Sequence, residues 1–251
     1  MKAIFKREFF AYFATPMGFV LVVAFVGLLG LMGLHVTPRV SSGADWFDAR
    51  RLTMESFFLS FPWVAAVVLP ALSMRSWSEE YRTNTIQLLA TLPHKGATLV
   101  LAKYLAMLGF FALMLAGTLI WPLLVIAGGA DQPLGADLPP ILSGYLGAFL
   151  LGASVLAIGM WISSLARNQM VAYLMTLLLC GALIAWRFFA GVASQGMGHG
   201  ATMLFSYFSL ELHFSRLAMG ELRLDAIVWY CSLSAAFLAF ATMVVEGRRY
   251  R

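Results

Sequence analysis

Six long apolar stretches, separated by shorter polar or charged segments, run along the sequence. They lie at residues 17–36, 57–74, 98–127, 140–165, 170–189 and 226–245. A helix that crosses a lipid bilayer needs about 20 predominantly apolar residues, and these stretches are close to that length. None carries a charge near its middle, and Lys103, close to the start of the third, is expected to extend its ammonium group to the membrane surface. The pattern predicts an all-α integral membrane protein with six transmembrane helices.

Residues 1–15 predict an amphipathic helix that lies in the membrane interface before the first span. Aromatic residues recur in it at helical spacing, and charged residues occupy the rest of its surface. Pro16 then ends the helix or turns the chain into the membrane, because its ring cannot continue the helical hydrogen bonds. The aromatic set is Phe5, Phe9, Tyr12 and Phe13, and the charged set is Lys2, Lys6, Arg7 and Glu8.

Composition excludes an ordinary soluble domain. Hydrophobic residues make up 61% of the chain and charged residues 12%, whereas an ordinary soluble domain has about 25% charged residues. Most of the 17 Lys and Arg residues fall on one side of the membrane when the N-terminus is placed in the cytoplasm. These charges lie at the ends of apolar stretches, so a nucleic-acid partner is not expected. We predict a single transmembrane domain over residues 1–251, with both termini cytoplasmic.

Motifs for catalysis or nucleotide binding are absent from the sequence. A G-x-x-x-x-G spacing at residues 191–196 is followed by Met197 and Gly198, where a phosphate-binding loop needs Lys and then Ser or Thr. The histidines lie in different segments without metal-ligand spacing: His35, His94, His199 and His213. We therefore expect no enzyme activity, no metal and no cofactor in this chain, and any ATP and Mg²⁺ would be bound by a partner subunit.

The connection after the second span, residues 75–93, is long and charged and has helical character. Glu79 and Glu80 lie close to Arg75 and Arg82, just after the span ends. Two interpretations are open: a solvated helix with weak local ion pairs, or a short helix that lies along the membrane and docks onto a partner.

The other connections are less informative. The one between the fourth and fifth spans is short. Residues 190–225 form an extracytoplasmic segment before the last span, and residues 203–217 within it are aromatic and apolar enough to pack against the ends of the spans. The short connection is centred on Arg167, Asn168 and Gln169.

Small residues recur in two of the predicted spans. They allow helices to approach closely, either inside the subunit or at a dimer seam. The first span has Gly27, Gly30 and Gly33, and the fourth has Gly144, Ala148 and Gly152.

Four segments of the chain resemble a known family. LPALSMRSWSEEYRTNTIQLLATLP, followed by VLAKYLA, resembles the hallmark of ABC-2-type transporter permeases. FKREFFAYFATPMGFV, IGMWISSLARNQMVAYL and LELHFSRLAMGELRLDAIVWY are similar to the gliding-motility-type subfamily. The resemblance covers almost the whole chain, with Asn84 in place of the usual Gly and Gln87 in place of a frequent Glu.

The resemblance implies an ABC-2 permease fold of the type V exporter kind, in the bacterial cytoplasmic (inner) membrane. It implies a dimer with a second permease subunit, identical or related, joined to a dimer of cytoplasmic ATPase subunits. An accessory membrane protein with an extracytoplasmic domain and membrane lipid would be further partners. By the same resemblance, the coupling helix includes or adjoins Glu79, Glu80, Arg82, Thr85 and Leu89, the elbow contributes Lys6, Arg7 and Glu8, and Arg167, Asn168 and Gln169 form a smaller contact.

The function that follows is that of a permease subunit. It would couple ATP hydrolysis in the partner to export or extraction of a hydrophobic or membrane-associated substrate. Reversing both charges, with Glu79→Lys and Glu80→Lys, is expected to uncouple the two processes and leave the fold intact. A membrane assembly scaffold and a transporter or channel that works without an ATPase are the alternatives.

Overall fold

The computed structural model describes residues 2–35, 54–83, 96–123, 138–193 and 206–249, which fold almost entirely into α-helices. Thr85 and Leu89 lie outside these residues, as do Asn84 and Gln87, so the coupling roles of Thr85 and Leu89 stay predictions. The helices in chain order are α1 (Lys2–Ala14), α2 (Pro16–His35), α3 (Glu55–Ser73), α4 (Arg75–Arg82), α5 (Gly96–Gly117), α6 (Leu138–Leu165), α7 (Gln169–Ala193), α8 (Leu210–Ala218) and α9 (Leu224–Arg249).

The described helices include five that are long and apolar enough to cross a membrane. A sixth span is present if α1 and α2, which are joined at a sharp bend, count as one. The second span of the chain continues from α3 through α4, as far as Arg82. The prediction of an all-α, multi-pass membrane protein is confirmed, with a span count of five or six.

The chain bends by 75° between α1 and α2. Pro16 begins α2, and Gly18 lies so close to the carbonyl group of Tyr12 that a Cβ atom would overlap it. α1 packs along α5 through aromatic rings: Tyr12 stacks on Phe110 with ring centroids 5.1 Å apart, and Phe13 meets the same ring edge to face at 5.3 Å. The predicted elbow helix therefore exists and turns away from α2, and its position in the membrane interface stays a prediction.

α6 lies at the centre of the bundle and contacts α3, α4, α5, α7, α8 and α9. Its middle, residues 151–160, is buried throughout. Gly144 faces the ring of Phe58 and Gly152 faces the ring of Phe111, each so closely that a Cβ atom would overlap the ring. These two glycines therefore serve packing inside the subunit.

The glycines of α2 differ from one another. Gly30 lies against the indole ring of Trp121, so it also packs inside the subunit. Gly27 is exposed, and no described atom lies within 4 Å of the position that its Cβ would take. Gly33 lies one turn further along the same helix. Gly27 therefore faces away from the described part of the bundle, whereas Gly30 faces into it.

α8 covers the end of the bundle where α6 begins. Its buried residues Leu210, Phe214 and Leu217 pack on α3 and α6, and the hydroxyl group of Tyr230 in α9 donates a hydrogen bond of 2.6 Å to the Leu210 carbonyl. The expectation that residues 203–217 pack against the ends of the spans holds for α8.

Candidate functional site

Charged and polar side chains collect at the opposite end of the bundle. Here α1 and α4 meet the first turns of α5 and the last turns of α6 and α9. We call this region the polar end. It contains most of the residues that the resemblance assigns to ATPase coupling.

Lys103 of α5 joins three helices at the polar end. Its Nζ lies 2.7 Å from a carboxylate oxygen of Glu80 in α4 and 3.6 Å from one of Glu8 in α1. It also donates a hydrogen bond of 2.9 Å to the Ser76 carbonyl and lies 5.2 Å from the centre of a Trp77 ring. The side chain is only 4% exposed. The prediction that this lysine extends to the membrane surface is therefore wrong.

A buried ammonium group needs such an environment. Removing a charge from water costs several kcal/mol unless partners of opposite charge and hydrogen-bond acceptors replace the water. Here two carboxylates and a carbonyl group do so, and a tryptophan ring adds a cation–π contact. Because Lys103 contacts α1 and α4 at once, those two helices are held in a fixed position relative to α5.

The two adjacent glutamates of α4 point in different directions. Glu80 turns inward to Lys103 and is 14% exposed. Glu79 pairs with Arg75 one turn earlier, at 3.0 Å, with both side chains about one third exposed. Arg82, at the end of α4, is exposed. Within α4, Arg82 therefore presents a charge to a partner more directly than Glu80 does.

This geometry revises two expectations about α4. The helix is not uniformly solvated, because Ser76, Trp77 and Ser78 are buried. Nor would reversing both glutamates leave the fold intact, because Glu80→Lys would place a second ammonium group against buried Lys103. Docking onto a partner stays a prediction for the exposed face of α4.

A serine of α6 bonds to the backbone where α3 passes into α4. The Ser163 hydroxyl accepts hydrogen bonds from the backbone N–H groups of Trp77 (3.1 Å) and Ser78 (3.3 Å), and donates one of 2.9 Å to the Met74 carbonyl. These backbone groups lie at a helix junction, where regular i to i−4 pairing is interrupted. The junction is thereby attached to the central helix of the bundle.

The last helix also ends at the polar end. The guanidinium group of Arg248 lies 4.4 Å from the centre of the Tyr81 ring and donates a hydrogen bond of 2.9 Å to the Leu165 carbonyl. Two residues earlier in the chain, Glu246 packs against Gly96 at the start of α5. The N-terminal elbow and the C-terminal end of α9 therefore lie at the same end of the bundle.

The remaining predicted contact residues lie at or near the surface of the polar end. Arg7 is exposed and pairs with Glu8 at 2.7 Å. Arg167 and Asn168 are exposed between α6 and α7, and Gln169 is half-buried at the first position of α7. The side-chain oxygen of Asn168 accepts a hydrogen bond of 2.9 Å from the Met170 N–H, as a helix-capping residue does.

Two titratable groups mark the other end, on α8. His213 is buried, with its ring 4.5 Å from that of Trp229 and its Nε2 3.0 Å from the Tyr207 carbonyl. Burial lowers the pKa of His213, and the hydrogen bond to Tyr207 partly opposes this. Burial raises the pKa of Glu211, and Arg187, 3.8 Å away, partly opposes that shift. Charges that affect His213 less are Arg216, Arg223 and Asp225.

No metal centre is formed by the described part of the chain. It contains no group of three or more His, Cys, Asp or Glu side chains that could hold a metal ion. The polar end instead combines buried ion pairs with exposed arginines. Such an arrangement can fix helices to one another and present charge to another protein.

Comparison with known proteins identifies the family. The family model described as ABC-2 family transporter protein matches residues 5–182, well over half of the chain. The chain belongs to the ABC-2 transporter family. No curated protein matches the sequence. This ABC-2 protein is therefore a multi-pass membrane component of an ABC transporter, a class that works in general with an ABC ATPase.

The family match includes most of the polar end. Glu8, Glu80, Lys103 and Ser163 all lie inside the matched residues of this ABC-2 protein. α8, α9 and the Arg248 contact lie beyond them. The helices that meet around Lys103 are therefore part of the family's common region.

Sequence reasoning did not find the two residues that hold the polar end together. Lys103 could have been found, because a charge within a predicted span needs a partner, and Glu8 and Glu80 are carboxylates at the same predicted side of the membrane. Nothing in the sequence distinguished Ser163, because a serine in an apolar span most often bonds to its own helix, as Ser164 does to the Trp161 carbonyl.

Proposed function

We propose that this ABC-2 protein is the permease subunit of an ATP-driven exporter or extractor of hydrophobic or membrane-associated molecules. A separate cytoplasmic ATPase dimer would supply the energy and bind ATP and Mg²⁺. The observation that carries the proposal is the ionic contact of Lys103 with Glu8 and Glu80, which links the elbow helix and α4 to a membrane span. A partner that pushes on α1 or α4 would thereby move α5.

The exposed charges of the polar end support the proposed orientation and docking surface. Arg7, Arg82 and Arg167 are exposed there, and cytoplasmic segments of membrane proteins are enriched in Lys and Arg. We infer that the polar end faces the cytoplasm, with both termini on that side. The docking surface would consist of the exposed face of α4, the elbow and the connection between α6 and α7, together with Thr85 and Leu89.

Dimer formation is a further part of the proposal. Gly27 lies on the side of α2 that faces away from the bundle, alongside exposed Val20, Val23 and Leu31. A glycine on an apolar helix face allows another helix to approach closely. We propose that this face contacts a second permease subunit, identical or related. Membership of the gliding-motility-type subfamily, location in the inner membrane and an accessory extracytoplasmic protein rest on sequence resemblance.

Co-purification tests the proposed coupling surface. The full chain is co-expressed with each candidate ATPase subunit from its genome and purified in detergent through a tag on this chain. The wild type should retain one ATPase. Arg82→Glu should reduce the retained amount by about tenfold, because a carboxylate would then face the acidic group of the ATPase that pairs with the arginine. Arg223→Glu, an exposed arginine at the opposite end, is the matched control and should retain the ATPase.

The outcomes test the proposed docking surface and the proposed function separately. Equal retention by wild type, Arg82→Glu and Arg223→Glu would exclude the end of α4 from the interface. Failure of the wild type to retain any ATPase would contradict the proposed function. Thermal unfolding of each variant shows whether a lost complex reflects a lost fold.

A further inference from the structure

A groove lies at the polar end between the elbow helix α1, the start of α2 and the junction of α3 with α4. Its volume is about 100 Å³. A site of roughly 10–15 Å³ by this measure holds one water molecule, so the groove has room for a small polar headgroup but not for an acyl chain. One part of its wall is apolar, with Met17, Leu21 and Leu72, and the other part is polar.

Two hydrogen-bond donors in the polar wall lack strong acceptors. The hydroxyl group of Ser76 is buried, with the residue 7% exposed, and it has no hydrogen-bond partner among the described residues. Arg75 uses Nε and Nη2 on Glu79, but its Nη1 faces the thioether sulfur of Met17 at 3.7 Å. A thioether is a weak acceptor, and a buried unpaired hydroxyl is costly. A phosphate group in the groove would accept a hydrogen bond from Nη1 of Arg75, and one from the Ser76 hydroxyl once that side chain rotates towards the groove.

The charges around the groove restrict which phosphate compound fits. Arg75 is the cation of the lining, and Glu8 and Glu79 are its two carboxylates. Glu8 also pairs with Arg7 and Lys103, and Lys103 pairs with Glu80, so the charges in and beside the groove are close to balance and a ligand without net charge fits them best. A ligand that carries an ammonium group next to its phosphate can place the phosphate near the arginine and the ammonium group near the carboxylates.

The position of the groove indicates that the ligand is a lipid. It lies where the chain bends by 75° from α1 into α2, and its apolar wall, with Leu21 and Leu72, is on the side towards the membrane-spanning parts of α2 and α3. An acyl chain attached to a headgroup in the groove would start along this apolar wall. We propose that the groove binds the headgroup of a zwitterionic, amine-bearing phospholipid, with its phosphate against Arg75 and Ser76 and its ammonium group against Glu8 and Glu79.

Native mass spectrometry of the full chain in detergent tests this site. The probes are phosphatidylethanolamine, phosphatidylglycerol and inorganic phosphate, added at equal concentrations. The expected result is retention of phosphatidylethanolamine in preference to phosphatidylglycerol, with no retained inorganic phosphate. Preference for phosphatidylglycerol would overturn the choice of headgroup, and retention of inorganic phosphate to the same extent would overturn the choice of a lipid.

Two variants locate the binding. Ser76→Ala removes one hydrogen bond to the phosphate and should weaken phosphatidylethanolamine retention roughly two- to tenfold, and Arg75→Gln should weaken it by at least as much, because its hydrogen bond is charge-assisted. Arg223→Gln, which also removes an ion-paired arginine but at the opposite end, should leave retention unchanged.

The thermal stability of the lipid-free protein shows whether the Ser76 hydroxyl binds a ligand or stabilises the fold. Since the Ser76 hydroxyl has no partner among the described residues, lipid-free Ser76→Ala should melt no lower than the wild type. If Ser76→Ala does not fold, Arg75→Gln and the choice among the three probes still decide the question. Unchanged retention in both variants would overturn the proposed site.

Discussion

The ammonium group of Lys103 lies inside the helix bundle, where acceptors on two other helices, α1 and α4, surround it. Glu80 is its nearest carboxylate and is itself largely buried. Breaking such a pair leaves one buried charge without a partner, whereas replacing both members together leaves none. The energetic role of Lys103 is therefore best measured by comparing single with double substitution.

Lys103→Met should lower the free energy of unfolding by about 3–5 kcal/mol, since Glu80 would remain buried without its cation. Lys103→Met combined with Glu80→Gln should recover most of that loss. Thermal unfolding in detergent measures both variants. Arg223→Gln, which breaks an exposed pair, provides the control and should cost at most about 1 kcal/mol. Equal losses in the single and the double variant would show that the charge pair is not the cause.

The stability of the fold should depend on pH through His213, because the pKa of His213 in the folded protein lies below its ordinary value of 6.5. Above pH 6.5 the ring is neutral in both the folded and the unfolded chain and has no effect. As the pH falls below 6.5, the unfolded chain takes up a proton first, so stability decreases until the lower folded pKa is reached. Thermal unfolding between pH 7.5 and roughly pH 5 should show this loss.

The matched variants for this pH prediction are His213→Gln and Glu211→Gln. His213→Gln should lack the loss, and an unchanged pH profile in it would contradict the assignment. The pKa of Glu211 is raised, so stability linked to it increases as the pH falls from its folded pKa towards its ordinary value of 4.5. Glu211→Gln should therefore make the loss caused by His213 steeper.

The helices themselves follow closely from the apolar pattern, because the thickness of the bilayer fixes the length of a span. The fourth stretch, residues 140–165, is the helix Leu138–Leu165, and the fifth, residues 170–189, lies within Gln169–Ala193. Helical character after the second span was also predictable, since polar and apolar residues alternate there at helical spacing. The bonds from Ser163 to Trp77 and Ser78 could not be predicted, because they join residues far apart in the chain.

Two glycines in the helices should respond differently to replacement by alanine. Gly152→Ala should lower stability by about 1–3 kcal/mol, because the added methyl group would overlap the buried ring of Phe111. Gly27→Ala adds a methyl group where no described atom is near and should leave the stability of the subunit unchanged or slightly higher, by up to about 1 kcal/mol. Thermal unfolding compares the two. A large loss in Gly27→Ala would show that this face packs against part of the same subunit.

At the scale of the whole molecule, the elbow, α4 and the end of α9 lie together at one end of the bundle. Arg223 and α8 lie at the other end. If the polar end is cytoplasmic, a charged maleimide that cannot cross membranes should label Arg223→Cys in intact cells. It should label Arg82→Cys only after the membrane is permeabilised. Labelling of Arg82→Cys in intact cells would reverse the orientation. Both variants are made in a protein whose own free cysteines, Cys180 and Cys231, have been replaced by Ser, so that the maleimide reacts only at the introduced cysteine.

The candidate site was predictable as a region but not as a set of contacts. Charge at the ends of the apolar stretches located the polar end, and α4 within it. Which of the two glutamates turns inward depends on where Lys103 of α5 lies, and local sequence does not contain that information. For the same reason, the groove beside Ser76 and Arg75 could be found only from the packed helices.

The three hydrogen bonds of Ser163 restrict how α4 can move. A change in the angle between α3 and α4 would stretch the bonds to Trp77, Ser78 or Met74, unless α6 moved as well. α4 and the adjacent end of α6 are therefore expected to behave as one rigid body, with few independent degrees of freedom between them. Since α6 contacts most of the other helices, a displacement of α4 would reach the middle of the membrane as a concerted rotation of the core and not as a local bend.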